Sequence, residues 1–96
     1  MYKVKLSLNA QEDLEKIEKM YYLISEKTGD KFILDVSKTF KMLSLNPHFK
    51  IQHKNYRTIK LSKFPYLLFF EIDKSNFNVT IFTCFHTSQN PSKYPI

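Results

Sequence analysis

The beginning of the chain has the hydrophobic pattern of one strand followed by a helix. Residues 2–6 alternate apolar and basic side chains, which predicts a half-buried strand. Apolar side chains then recur at spacings of three and four, which predicts a helix that ends near Lys27; they are Ala10, Leu14, Ile17, Tyr21 and Ile24. Asn9 is the predicted N-cap of this helix, with Glu12 as its capping-box partner.

A second helical pattern follows a short break. The segment "KTGDK" (27–31) interrupts the first stripe, and Gly29 is expected to take a left-handed conformation after the helix end. Helical spacing then resumes in a second apolar face, formed by Phe32, Ile33, Val36, Phe40 and Leu43. Asn46 and Pro47 end the helix, because the residue before a proline disfavours helical backbone. Two helices joined by so short a turn should lie antiparallel.

The second half of the chain changes to a period of two. The polar stretch at residues 48–55 is predicted to be a loop. Residues 56–63 form a strand pattern with Arg57, Ile59 and Leu61 on one face, and residues 64–73 are apolar on both faces, as in a central strand. The last strand, 78–87, is predicted to place Val79, Ile81, Thr83 and Phe85 on one face, and Thr80, Phe82, Cys84 and His86 on the other.

These elements predict an α+β fold with a single domain over residues 1–96. An N-terminal strand, an antiparallel helix hairpin and three antiparallel strands should form one antiparallel sheet with the helices on one face. The chain has one cysteine, so no internal disulfide can form, and a reducing compartment is expected. The N-terminus turns acidic before a signal-peptide core could develop, and the longest apolar run, "YLLFF", is too short to cross a bilayer. We therefore predict a cytoplasmic protein with no membrane partner.

The positive charge is concentrated in the middle of the chain. The net charge is +6, and residues 30–64 hold eight basic residues against two acids, which accounts for the whole excess. A localised basic zone suggests an anionic partner, either nucleic acid or an acidic protein. The alternative is a solvated lysine-rich surface. A single glycine argues against phosphate-cradling loops and dinucleotide folds, so no cofactor is predicted.

Several short motifs in the second half occur in the order of a known toxin family. They are Arg57 at the start of a strand, "FPY" (64–66) at the start of the next, and "FHTSQNPSKYP" (85–95) at the end, with His86, Gln89, Pro91 and Tyr94 in the closing motif. In this order they resemble the RelE/ParE superfamily of type II toxin–antitoxin systems, and in particular its ParE-like branch. The segments "LNAQEDLEKIEKMYY" (8–22) and "SLNP" (44–47) are also similar to the family, so the resemblance covers nearly the whole chain.

The resemblance implies a toxin that inhibits DNA gyrase by binding it. It also implies a cognate antitoxin, encoded by the neighbouring gene, with an acidic amphipathic tail. The alternative is a ribosome-dependent messenger endoribonuclease of the RelE type, whose basic residues stabilise the charge that develops on the phosphate. By the resemblance, arginines of that branch fall at Tyr66 and Gln89 here, and a neutral side chain cannot replace a guanidinium in this role. The missing arginines therefore favour the binding inhibitor.

The candidate residues for contact with target or antitoxin are Arg57, Lys60, Lys63, His86, Gln89 and Tyr94. His86 has the pKa range of a general acid or base, but the sequence offers it no partner acid or nucleophile, so we expect it to end the last strand. Arg57 shares a face with core residues, so it either lines a groove or pairs with a helix acid. His48 and His53 lack metal-ligand spacing, and no metal or catalytic residue is predicted.

Overall fold

The chain forms a hairpin of two helices that packs against one sheet. The computed structural model describes residues 1–48, 51–53 and 56–87, and for residues 51–53 it describes the backbone. The elements are β1 (Lys3–Leu6), α1 (Leu8–Ile24), α2 (Glu26–Leu45), β2 (Ile51–His53), β3 (Tyr56–Lys60), β4 (Tyr66–Asp73) and β5 (Asn78–His86). The predicted α+β architecture, with a helix hairpin packed against one sheet, is confirmed.

The strands of the sheet lie in the order β1-β5-β4-β3-β2. The pairs β2–β3, β3–β4 and β4–β5 are antiparallel, as expected for consecutive strands. Two expectations were wrong. The polar stretch 48–55 contains β2, so His53 lies in a strand and not in a loop. Strand β1 pairs with β5 in parallel, because the two helices between them and the rest of the sheet provide the long connection that a parallel neighbour requires.

The ends of the helices differ from the predicted ones. Helix α1 is capped by Ser7, whose hydroxyl accepts a hydrogen bond from the Ala10 N–H at 3.1 Å, so Asn9 lies inside the first turn and is not the N-cap. One residue, Ser25, both ends α1 and caps α2, where its hydroxyl accepts from the Thr28 N–H at 3.0 Å. Gly29 therefore lies within α2 and has no positive φ.

Gly29 contributes to the packing of the two helices, although the sequence predicted a role in a turn. The residue is buried in the first turn of α2, against the ring of Tyr22 in the last turn of α1. A Cβ added at Gly29 would lie closer than 3.0 Å to ring carbons of Tyr22. The Tyr22 hydroxyl reaches past it and donates a 2.7 Å hydrogen bond to Asp30. The lack of a side chain at residue 29 thus allows the two helices to approach each other.

A β-bulge changes the predicted facing of the last strand. Phe69 pairs with Thr83 and Phe70 with Ile81, so Phe82 is the extra residue. Strict alternation would put Thr83 and not Cys84 on the face of Val79 and Ile81. Because the bulge shifts the alternation by one residue, Cys84 joins Ile81 in the core.

The core lies between the helix hairpin and one face of the sheet. Its fully buried members include Phe32, Leu43, Leu68, Phe70 and Ile81. The end predicted for α2 is confirmed, since the helix ends at Leu45 and Asn46 is its C-cap. No helix in the described residues is long and apolar enough to cross a membrane.

Candidate functional site

Three of the candidate residues lie at one end of the sheet. Lys60 ends β3, Lys63 lies in the connection between β3 and β4 (residues 61–65, the β3–β4 connection), and His86 ends β5. Both lysines are exposed and His86 is half-buried. Tyr66, the first residue of β4, pairs with His86, which places the ends of all three strands together.

Arg57 stands apart from this group. It pairs with Phe70, and Lys60 pairs with Leu67, so Arg57 lies three residues back along β3. The side chain is half-buried and shares the core-facing side of the strand with Ile59. The sequence-based candidates thus do not form one cluster. Gln89 and Tyr94 lie outside the described residues.

A buried carboxylate holds the β3–β4 connection against α2. Asp35 is 3% exposed, although α2 is otherwise charged mainly on its outer face. Its Oδ1 accepts hydrogen bonds from the Ser62 N–H at 3.2 Å and the Ser62 hydroxyl at 2.8 Å. Its Oδ2 accepts from the Lys63 N–H at 2.8 Å and the Phe64 N–H at 3.1 Å. Burial by itself would raise the pKa of Asp35, but the hydrogen bonds outweigh it and hold this pKa below its ordinary value.

Aromatic side chains fill the space beneath the connection. Phe64 packs edge-on against Tyr21 at 4.8 Å and against Phe32 at 5.3 Å between ring centroids. Tyr66 is 6% exposed and meets the His86 ring edge-on at 5.2 Å. Burial, with a hydrogen bond to Tyr21, raises the pKa of the Tyr66 phenol far above its ordinary value. Tyr66 is therefore a neutral packing residue, and it gives His86 an apolar neighbour.

The outer face of α2 combines lysines with apolar side chains. Lys31, Lys38 and Lys41 are exposed on it. Leu34, Met42 and Leu45 are each more than half exposed. A small cleft of about 20 Å³ lies between this face and the β3–β4 connection, lined by Lys31, Leu34, Asp35, Lys38, Ser62 and Lys63. Three of the eight basic residues of the predicted zone therefore lie on the outer face of α2, and Lys63 shares the cleft with two of them. Lys50 and Lys54 lie outside the described residues.

Where β1 ends, side chains at the start of α1 take over as hydrogen-bond partners of β5. Past the end of β1, the Phe82 carbonyl accepts from the Ser7 hydroxyl at 2.8 Å. Asp13 Oδ2 accepts from the Thr83 hydroxyl at 2.8 Å and from the Cys84 N–H at 3.3 Å. Burial, with the negative charge of Asp13, raises the pKa of the Cys84 thiol to about 12. Cys84 is therefore protonated at neutral pH and is no nucleophile. Among the described residues, no group of three or more potential ligand side chains could hold a metal ion.

The sequence as a whole matches one family of toxins. The profile of the ParE toxin of type II toxin–antitoxin system, parDE, matches residues 4–91. The chain belongs to the ParE toxin family. A comparison with curated protein sequences gave no match.

Solved structures of related toxins share the fold of this ParE-family chain. The chromosomal ParDE toxin–antitoxin system from P. aeruginosa matches with a TM-score of 0.74 and 22% identity, over 92% of this chain and 98% of that chain. The RelBE2 toxin–antitoxin complex from Mycobacterium tuberculosis matches with a TM-score of 0.65 and 21% identity, over 88% and 96%. The E. coli RelBE toxin–antitoxin complex matches with a TM-score of 0.60 and 13% identity, over 94% and 100%. The fold is therefore common to both branches of the superfamily.

Sequence reasoning missed the anchoring role of Asp35. A signal was present, because Asp35 falls on the apolar stripe of α2 between Phe32 and Val36. An acid on a buried helical face needs donors from elsewhere in the fold. Their identity was not visible in the sequence, since the donors are mostly backbone N–H groups some 27 to 29 residues away.

Proposed function

We propose that this ParE-family toxin acts by binding and inhibiting DNA gyrase. The family assignment supports the toxin role, and the ParE branch supports gyrase as the target. The observation that carries the choice is the environment of Tyr66. This residue stands where the resemblance places an arginine of the ribonuclease branch.

Tyr66 cannot replace that arginine in stabilising negative charge on a phosphate. Stabilising a phosphorane-like state requires a cation or a strong donor aimed at the phosphate. The Tyr66 phenol is buried among Tyr21, Phe32 and His86, and it remains neutral. A ribonuclease would therefore lack a cation at this position of β4. The messenger endoribonuclease is kept as the second candidate, because the RelE toxins share the fold.

We propose further that an antitoxin with an acidic amphipathic tail neutralises the toxin. The exposed face of α2 offers lysines for its carboxylates and Leu34, Met42 and Leu45 for its apolar side chains. Lys60 and Lys63 extend the positive field to the end of the sheet. Opposite charge on the two partners would steer their encounter, so association should be faster at low salt.

Two assays, one on the purified toxin and one in cells, separate the candidate targets. We expect inhibition of supercoiling by gyrase in vitro, and no codon-phased messenger cleavage when 5′ ends are mapped in cells after induction. Gln89→Arg should not create cleavage, since catalytic groups of this kind act together. Tyr94→Phe should leave growth arrest intact. Codon-phased cleavage that Tyr94→Phe abolishes would overturn the binding inhibitor in favour of the ribonuclease.

The antitoxin is tested with the product of the neighbouring gene. We expect a stable complex whose association rate falls as salt rises from about 50 to 300 mM, because the Debye length shortens over that range. An association rate that does not depend on salt would contradict the electrostatic contribution. A neighbouring product that does not bind would contradict the proposed partner.

A further inference from the structure

Packing of Leu61 and Phe64 and a few backbone hydrogen bonds hold the β3–β4 connection, but three of its N–H groups donate to a different element. Within it, the Leu61 N–H donates to the Tyr66 carbonyl at 2.9 Å and the Tyr66 N–H donates to the Phe64 carbonyl at 2.9 Å. The three N–H groups between these bonds, those of Ser62, Lys63 and Phe64, all point to one carboxylate on another element. Consecutive N–H groups that converge in this way form an anion-binding concavity. Here the anion is Asp35.

The four hydrogen bonds to Asp35 need both of its oxygens as acceptors. Oδ1 receives the two donors of Ser62, and Oδ2 receives the N–H groups of Lys63 and Phe64. An asparagine has one acceptor oxygen, and its NH₂ group would face two donors on the other side. Asp35→Asn therefore leaves one pair of donors unsatisfied, although it hardly changes the volume of the side chain.

We propose that Asp35 is a positioning residue for the binding surface: its ionised carboxylate holds the β3–β4 connection in the conformation that presents Lys63 beside Lys31 and Lys38. The positions of the residues support this role. Lys31 and Lys38 lie one turn on either side of Asp35 on α2, and all three line the same small cleft as Lys63. The role in binding rests on the proposed function, in which these lysines contact an acidic partner.

The conformational role is tested on the toxin alone by amide hydrogen exchange. In Asp35→Asn we expect protection of the Ser62, Lys63 and Phe64 amides to fall about 100-fold, while the amides of β4 and β5 keep most of theirs. The control is Glu26→Gln, which also removes one negative charge, at an exposed residue of α2. Unchanged protection at residues 62–64 would refute the anchor. An equal loss throughout the sheet would also refute it, because Asp35 would then contribute only to global stability.

The role in binding is tested by a double-mutant cycle with the product of the neighbouring gene. Lys63→Ala should weaken binding about 3- to 10-fold in the natural chain and less than about 2-fold in the Asp35→Asn chain, because a displaced Lys63 has little contact left to lose. Equal losses in the two chains would refute the positioning role. If Lys63→Ala has no effect in the natural chain, the contact assigned to Lys63 in the proposed function is wrong, and positioning by Asp35 has no role in binding. The exchange experiment then still decides whether Asp35 anchors the connection.

Discussion

Replacing Gly29 by alanine should destabilise this toxin, although the same change stabilises most helices. Within a helix, alanine is favoured over glycine by about 1 kcal/mol. Here the new Cβ would overlap ring carbons of Tyr22 near their attachment to the backbone. The ring must turn away, and its hydrogen bond to Asp30 is then lost. Overpacking of this kind costs about 1–3 kcal/mol, and the lost hydrogen bond costs about 1 kcal/mol. After the helical gain of about 1 kcal/mol is subtracted, we expect Gly29→Ala to lower the free energy of unfolding by about 1–3 kcal/mol.

The effect of Gly29→Ala on the free energy of unfolding should change sign when the Tyr22 ring is removed. In a Tyr22→Ala chain the added Cβ meets no ring, and Gly29→Ala should then raise the free energy of unfolding by about 0.5–1 kcal/mol. Urea unfolding followed by circular dichroism measures all four chains of this cycle, and each kcal/mol corresponds to roughly 4–8 °C in the melting temperature. Tyr22→Phe is the control, because it keeps the overlapping ring and removes the hydroxyl. If Gly29→Ala stabilises the natural chain as much as the Tyr22→Ala chain, the packing argument is wrong.

Three further outcomes follow from the hydrogen bonds and from burial. The pKa of Asp35 is lowered on folding, so the stability that Asp35 contributes is complete above its unfolded pKa near 3.8 and is lost as the pH falls through the lower folded pKa. Acid unfolding of Asp35→Asn should therefore show a weaker pH dependence below about pH 4 than that of the natural chain. An unchanged profile would contradict this. Cys84 should react with iodoacetamide at pH 8 only after denaturation, and rapid alkylation of the folded chain would contradict its burial. Ser7→Ala should lower stability by about 1–2 kcal/mol in thermal unfolding, since it removes both the cap of α1 and the bond to Phe82, whereas Ser75→Ala in the exposed β4–β5 turn should have little effect.

The sequence by itself determined the main elements and the class of fold. Apolar spacing alone located two helices and the strands β1, β3, β4 and β5, because a period near 3.6 and a period of two are imposed by backbone geometry on any buried face. It also located the excess positive charge, and the order of short motifs around Arg57 and His86 led to the toxin family. These features are local, or depend on the order of residues along the chain.

The tertiary structure decided where each of these residues lies and what it contacts. The helix boundary fell at Ser25 and not at Gly29, because the Ser25 hydroxyl caps α2, and Gly29 packs within α2 against Tyr22. The bulge at Phe82 moved Cys84 into the core, which strict alternation could not foresee. Asp35 found its donors in the β3–β4 connection, far along the chain. The bulge and the donors of Asp35 depend on contacts between different elements, and such contacts have no periodic signature in the sequence of either element.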